Sequence, residues 1–248
     1  MKPRSAVRRT AHSTPAGRTA QRGVALLLVL IMALLGTLLA AWSSRTALFS
    51  ERITGNDADY QRALQAAQAM VRDAELDIRG QQVDGTPCRS GPDYDGSCRL
   101  TRLDVDAGQV FFPQDAADFA ALEASLGSRA PPCVKGICVG SKVASEFWLK
   151  RDGADGFGKM KAAAAHYGEF TGAVNTGKTG DPLLAPALDK AWYWVEVLPY
   201  DMGPGLPAKF RPDSERPFIY RITGIAEGLK ANSLAVVQTL FIWRRDDA

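Results

Sequence analysis

The sequence contains very little histidine, with only His12 and His166 among its 248 residues. His12 lies in a basic N-terminal stretch, and His166 follows a run of alanines without a nucleophile motif beside it. Enzyme active sites bring together several side chains of the histidine, cysteine and carboxylate types. Since we recognise no catalytic constellation, we predict a protein that is not an enzyme and that needs neither a cofactor nor a metal.

Charged residues are absent from Val24–Trp42, a stretch of nineteen residues in which only Gly36 and Thr37 interrupt the apolar side chains. At about 1.5 Å of rise per residue, a helix of this length crosses a hydrocarbon core of about 30 Å. We therefore predict a membrane-spanning helix. The alternative is the apolar core of a cleaved secretory signal, for which Ala40 and Ala41 offer a weak cleavage site.

Acidic residues are absent from residues 1–23, which form a basic leader with six positive charges: Lys2, Arg4, Arg8, Arg9, Arg18 and Arg22. Positive charge on a short N-terminal side holds that end in the cytoplasm, so we expect the chain after Trp42 to be exported. Without the leader, the formal net charge changes from +3 to −3. This mildly acidic balance argues against a nucleic-acid-binding surface.

Proline is absent between the apolar stretch and Pro87, and the composition of Arg45–Arg79 is helical. Apolar residues recur there at three- and four-residue steps, which predicts an amphipathic helix: Leu64, Ala67, Val71, Ala74 and Ile78. The same helix places its charges on the other faces: Arg62, Arg72, Asp73, Glu75, Asp77 and Arg79. Gly80 is a natural end for it.

The C-terminal third is rich in strand-forming residues, in three segments: Ala191–Leu198, Pro217–Ile225 and Leu234–Trp243. Successive strands joined by loops predict an antiparallel meander, and the amphipathic helix can cover its apolar face. The predicted fold class is therefore α+β. Alternation within the first strand places Glu196 on a solvent or partner face. We assign the large aromatic residues to the core: Trp192, Trp194, Phe218, Tyr220 and Trp243.

Residues 81–190 form a long excursion rich in glycine, proline, aspartate and serine. We predict one short helix over Asp115–Leu126, and a short strand or helical turn over Glu146–Leu149. All four cysteines lie in this excursion: Cys88, Cys98, Cys133 and Cys138. Four cysteines allow three pairings, and the turn residues beside each pair favour short-loop disulfides, Cys88–Cys98 and Cys133–Cys138. Zinc is the alternative, but the spacings are wrong for zinc ribbons.

Three further segments resemble ligand-binding motifs, which need a particular structural context to bind a ligand. Gly172–Thr179 matches the phosphate-binding pattern G-x-x-x-x-G-K-T, but it lacks the preceding apolar strand and the following helix that hold phosphates. Asp93–Gly96 and Asp152–Gly156 resemble calcium loops without their full spacing. We interpret all three as turns and loops.

Three segments together give the N-terminal half a family resemblance. Gln21–Leu26 looks like a prepilin-peptidase site, and Ser50–Asn56 contains the "ER-x-x-GN" pattern. Ala63–Ala69 follows it with an "A-L-QAA-Q-A" pattern. In this combination the chain resembles the PilX group of minor type IV pilins, and its C-terminal strands also look like that group. The resemblance implies a long N-terminal helix packed on an antiparallel sheet.

The resemblance also implies how the chain is processed and where it acts. Cleavage would follow Gly23, and the new amine of Val24 would be methylated. Leu28 occupies the fifth mature position, where major pilins carry glutamate, and this absence implies a position at the filament tip. The implied partners are PilV- and PilW-type minor pilins, the major pilin, the prepilin peptidase, the inner-membrane assembly platform and a PilY-type tip adhesin.

We therefore expect three parts: the leader 1–23, a long helix 24–80 that spans the inner membrane over 24–42, and a periplasmic domain 81–248 with its sheet over 191–243. The function implied is priming of pilus assembly. The alternatives are a K-type pseudopilin of a type II secretion system, a nucleotide-binding enzyme that uses Gly172–Thr179, and a single-pass anchored domain without a filament role.

Overall fold

A computed structural model describes the following residues: 21–88, 98–99, 102–139, 143, 146–150, 153, 156–175, 180–201, 207 and 210–244. The chain divides into two compact units, Met1–Thr54 and Gly55–Ala248. One continuous helix, α1 (Gln21–Arg79), begins in the first unit and ends in the second. The long helix predicted from the sequence is therefore confirmed.

The apolar part of α1 is long enough to cross a membrane. Within the described residues, one helix is long and apolar enough to cross a membrane. An eighteen-residue stretch of it has a mean hydropathy of 2.8 and contains no buried residue. Large apolar side chains are exposed along the first unit, including Leu26 at 72% and Leu39 at 69%. Such a surface is unfavourable in water, and a lipid or protein environment stabilises it.

The second unit contains a five-stranded sheet in the order β1-β2-β3-β4-β5. Its strands are β1 (Cys133–Val134), β2 (Ile137–Val139), β3 (Ala191–Pro199), β4 (Phe218–Glu227) and β5 (Leu234–Ile242). The last three form the predicted antiparallel meander. The sequence did not predict β1 and β2, since strands this short show no readable alternation. β2 pairs with β3 in parallel.

One face of the sheet packs against α1, which brings small residues to the contact: Ala63, Ala66, Ala67, Ala74 and, between them, Met70 and Val71. Facing them are alternate residues of the strands, including Tyr193, Val195, Ile222 and Ala235, all buried. The helix backbone comes very close to the sheet at Gly224 of β4. A Cβ atom there would lie 2.5 Å from the carbonyl oxygen of Ala67. The helix therefore packs this closely because position 224 has no side chain.

The other face of the sheet is covered at one end by the excursion. Helix α3 (Phe157–Ala162) and the 3₁₀ turn Phe147–Leu149 pack on Trp192 and Trp194. The Phe147 ring lies 4.9 Å from that of Trp194 in an edge-to-face contact, and the indole Nε1 of Trp194 donates to the carbonyl oxygen of Met160 at 2.9 Å. These contacts give the otherwise irregular segment a core of its own.

Helix α2 (Ala116–Leu126) appears where the sequence predicted a helix. The Asp115 carboxylate caps it by accepting from the backbone amides of Ala117 and Asp118, both at 2.9 Å. Such a cap satisfies amides that have no partner within the helix. Leu122 and Leu126 are buried in the main core, so α2 adds a further layer to it.

Three charge assignments made from the sequence are wrong. Glu196 is only 3% exposed and is paired with Arg221 on the neighbouring strand, where one N–O distance is 2.7 Å. Asp73 and Asp77, which the helical pattern placed among exposed charges, are 3% and 5% exposed. Each of these acids is buried because donors from distant segments cover it, which a local pattern does not show.

The close contact at Gly224 generates a prediction. Gly224→Ala should lower the free energy of unfolding by about 1–3 kcal/mol, because the added methyl group would force α1 away from the sheet. Chemical unfolding of the full chain in detergent measures the change. Gly158→Ala in α3 is the matched control, since a Cβ there meets nothing within 4 Å. If both variants unfold like the parent, the close packing of α1 on β4 is wrong.

Candidate functional site

The residues singled out near the N-terminus all lie on the exposed part of α1. Val24 is 61% exposed and Leu28 is 53% exposed. No heavy atom would lie within 4 Å of a Cβ atom on Gly23. This segment therefore offers an uncovered apolar helix surface, while cleavage after Gly23, methylation of Val24 and a packing role for Leu28 stay predictions.

The glycine and asparagine of the "ER-x-x-GN" segment contact the turn that joins β4 to β5. The Asn56 Oδ1 accepts a hydrogen bond from the Lys230 ammonium at 3.2 Å. A Cβ atom on Gly55 would lie 2.6 Å from the same Lys230 Nζ. In this chain Gly55 therefore leaves room for the Lys230 side chain, and Asn56 binds its ammonium group.

One helical turn further on, Asp59 binds the backbone of the same turn. Its carboxylate accepts from the amides of Leu229 and Lys230, both at 3.0 Å. Burial acts to raise the pKa of Asp59, but the amides of Lys230 and Leu229 act more strongly together and hold it below its ordinary value. The sequence analysis did not identify Asp59, although its spacing of three residues from Asn56 puts both on one helix face.

A second carboxylate on α1, Asp73, holds the loop that follows α3. It accepts from the backbone amide of Gly168 at 2.8 Å and from the hydroxyl of Thr171. Burial raises the pKa of Asp73 to about 6, and the two hydrogen bonds only partly oppose that shift. The carboxylate is therefore held in place by donors from a loop more than ninety residues away in sequence.

The third carboxylate, Asp77, forms a buried pair with Arg99. The guanidinium Nε and Nη2 lie 2.9 and 2.8 Å from Asp77 Oδ2, and the Tyr193 hydroxyl donates to the same oxygen at 2.7 Å. Arg99 also stacks over the ring of Phe170, with its Cζ 3.6 Å from the centroid. Burial acts to lower the pKa of Arg99, but attraction by the Asp77 carboxylate keeps it above its ordinary value.

The structure contains both of the disulfides expected from the sequence. Cys88 and Cys98 are bridged with their Cα atoms 5.9 Å apart, and this bridge comes directly before Arg99 in the chain. Cys133 and Cys138 are bridged across the β1–β2 hairpin, where they are directly opposite each other. The first bridge therefore limits where Arg99 can lie, and the second closes the short hairpin that joins the sheet beside β3.

The imidazole of His166 lies between two carboxylates, those of Asp189 and Glu169. Its Nε2 lies 3.0 Å from Asp189 Oδ1, and its Nδ1 lies 3.4 Å from Glu169 Oε2. The hydrogen bond with Glu169 raises the pKa of His166, with a smaller contribution from Asp189, while burial opposes both. Asp189 also accepts from the indole of Trp192 at 2.9 Å. The imidazole therefore links the loop after α3 to the start of β3.

The motifs with possible ligand chemistry are only partly covered by the described residues. Gly172 follows a turn rather than a strand, so the first requirement of a phosphate loop is not met there. Residues 176–179 of that motif, and both calcium-like motifs apart from Gly153 and Gly156, lie outside the described residues. Among those described, no group of three metal-binding side chains is close enough to hold an ion.

The buried pair of Asp77 and Arg99 generates a prediction. Arg99→Met should destabilise the folded chain by about 3–5 kcal/mol, because Asp77 would remain buried without its cation. Adding Asp77→Asn should recover part of that loss, and chemical unfolding of the single and double variants measures it. The control is Arg129→Met, which removes an exposed pair with Asp106 and should cost about 1 kcal/mol or less. Equal losses for the two arginines would contradict the assignment.

Comparison with known families gives two matches along the chain. Residues 22–72 match the family described as PilX N-terminal, and residues 113–242 match the one described as type IV pilus assembly protein PilX C-term. No curated protein matches the chain, and no solved structure matches it either. The two family matches cover well over half of the sequence and include most of α1, all of α2 and the five-stranded sheet. The chain therefore belongs to the PilX family of type IV pilus assembly proteins.

Proposed function

We propose that this protein is a minor pilin that primes assembly of a type IV pilus and stays at the filament tip. The observation that carries the proposal is Leu28. It is the fifth residue after Gly23 and lies exposed on an uncharged apolar helix, where major pilins have a glutamate. The PilX matches support the coarser part of the proposal, a role in pilus assembly.

The physical argument concerns the cost of a buried charge. In an apolar filament core, the N-terminal amine of one subunit needs a carboxylate from a neighbour. Leu28 supplies no such carboxylate, and the next acidic residue along α1 is Glu51. This subunit therefore cannot neutralise the amine of a subunit that docks beyond it. It fits a position at which no further subunit needs that pairing, which is the tip.

The processing steps follow from the same segment. In the proposed pathway the chain is inserted once in the inner membrane, with its globular unit in the periplasm. The prepilin peptidase cleaves after Gly23, and Val24 becomes the methylated N-terminus. The subunit then joins PilV- and PilW-type minor pilins, the major pilin, the assembly platform and a PilY-type adhesin. The matches to both halves of PilX favour this role over that of a K-type pseudopilin.

The proposed cleavage site gives a direct test. The mature protein should begin with N-methylated Val24, and Gly23→Ala should leave the precursor uncut or slowly cut, because it changes the residue directly before the proposed cut. Intact-mass spectrometry of the membrane-extracted chain measures both. Gly36→Ala is the control, since it changes a glycine inside the apolar stretch and should be processed normally. An unprocessed N-terminus, or one at Ala41 or Trp42, would remove the pilin interpretation.

The proposed priming role gives a second test in cells that cannot retract pili. Deleting the gene should leave far fewer surface pili, while the major pilin is still made and accumulates in the membrane. Counting filaments by electron microscopy measures the effect. The parent chain should restore filament numbers, and Leu28→Glu should bring no gain over the parent. Normal filament numbers in the deletion strain would refute priming. Detection of this protein along the filament shafts, in amounts near those of the major pilin, would refute the tip position.

A further inference from the structure

Within the described residues, the sheet ends in a long strand whose outer edge pairs with no other strand. β5 has nine residues, and all of them pair with β4 on one side, from Leu234 opposite Glu227 to Ile242 opposite Ile219. Among the described residues, no strand and no isolated bridge pairs with its other side. The opposite edge of the sheet is β1, which has only two residues. β5 is therefore the edge that presents a long row of backbone donors and acceptors.

In the part of the chain that the structure describes, this edge has none of the features that usually protect an edge strand. The sequence of β5 is LAVVQTLFI, which contains no charged residue, no proline and no glycine. Soluble proteins prevent the pairing of free edges with charged residues or proline, with bulges or with very short strands. Pairing with β4 runs through all nine residues without a break. An unprotected edge of this length is an available site for pairing with another extended chain.

The side chains near the C-terminal end of β5 extend the site onto the outer face of the sheet. That face is covered over Trp192 and Trp194, but Leu240 is 65% exposed. Leu198, Ile219 and Ile242 are partly exposed near it, while Arg221, directly opposite Leu240 on β4, is already paired with Glu196. A chain added next to β5 would bring alternate side chains onto this apolar area. The preferred occupant is thus an uncharged segment with apolar residues at every second position.

The direction of α1 disfavours a second copy of this chain as the occupant. Asp59 of α1 binds the amides just before β5, and Arg79 lies over Phe241 near its end, with Cζ 5.1 Å from the ring centroid. Residues 59–79 of α1 therefore run in the same sense as β5. A closed two-fold pairing of two β5 strands is antiparallel. Such a pairing would set residues 59–79 of the two copies antiparallel, whereas subunits that follow one another in a filament have the same orientation.

We propose that the free edge of β5 receives an extended, uncharged segment of a different pilus subunit, which continues the sheet by backbone hydrogen bonds. The inference rests on the proposed function for the identity of the partner as a pilus subunit. The segment's apolar side chains cover Leu240 and the area around it. Through this contact the subunit selects its neighbour by strand pairing, in addition to any helix packing in the filament.

Hydrogen exchange of the full-length chain tests the proposal. The chain is extracted in detergent from cells that produce it alone and from cells that produce it with the remaining pilus subunits. In the complex, amide exchange in residues 234–242 should slow at least about tenfold. Residues 218–227 are the internal control, since β4 already has paired strands on both sides and should change little.

A pair of matched variants makes the same test by charge. Leu240→Lys places an edge lysine that an incoming strand would have to desolvate, so recovery of the complex should fall at least about fivefold. Leu149→Lys makes the same change at a residue that is 67% exposed and lies in the 3₁₀ turn after Glu146. It should leave recovery unchanged. Both sites are exposed, so neither change should prevent folding.

The outcomes separate this inference from the proposed function. A complex with pilus subunits that leaves exchange in β5 unchanged overturns the strand pairing while the pilus role stands. Equal recovery for the two lysine variants does the same. Equal protection of β5 in the chain made alone would mean that a second copy or the chain's own residues occupy the edge, which also overturns it. Failure to join any pilus subunit would refute the proposed function, and with it the partner named here.

Discussion

The globular unit depends on carboxylates that α1 carries into its interior. Asp59, Asp73 and Asp77 lie within about 40° of one another around an ideal helix. Each is buried, and each accepts hydrogen bonds from a different segment of the chain. A buried carboxylate without donors is costly, so the folded state requires these segments to be in place together. The carboxylates of α1 thereby hold the turn between β4 and β5, the loop after α3 and the side chain of Arg99. The local sequence predicts little structure for these segments.

Small residues on the same part of α1 allow this arrangement. Alanines at positions 63, 66 and 67 bring the helix backbone close to β4, and Gly224 accepts that approach. At this distance Asp59 reaches the amides of the turn between β4 and β5, and Asp73 reaches the amide of Gly168. Ala67 of the "A-L-QAA-Q-A" pattern and Gly224 of β4 therefore meet at one contact in the folded chain. Residues that are distant in sequence form the two sides of a single interface.

The two units of the chain differ in what their surfaces require. The first unit exposes almost every apolar side chain of α1, which fits burial in a membrane or among other apolar helices. In the second unit, the large aromatic side chains of β3 and β4 are buried, while the described residues leave Leu240 and the outer edge of β5 uncovered. The two units therefore expose chemically different surfaces, an apolar helix in the first and a strand edge in the second.

The sequence by itself determined the elements that follow from local patterns. The length of the uncharged stretch predicted the apolar helix, strand-forming residues predicted β3 to β5, and the motifs from Gln21 to Ala69 indicated the family. Most of the fold was therefore predictable. Turn residues beside each pair of cysteines also suggested the two disulfides. The processing site depends on the same local reading, and the structure adds only that Gly23 and Val24 lie on an open helix surface.

Only the tertiary structure decided which charged residues lie inside. Asp73 accepts from Gly168, 95 residues away, and Asp59 from Leu229, 170 residues away. Helical periodicity placed Asp73 and Asp77 among the exposed charges, and strand alternation placed Glu196 on an exposed face. Such a pattern depends on the polarity of each side chain and contains no information about the hydrogen-bond donors that surround it in the fold. The placement of β2 beside β3, and the free edge left on β5, are likewise set by pairing between distant segments. The physical reason is that a buried charge needs hydrogen-bond donors and a strand edge needs a neighbouring strand. Both come from distant parts of the sequence that only folding brings together.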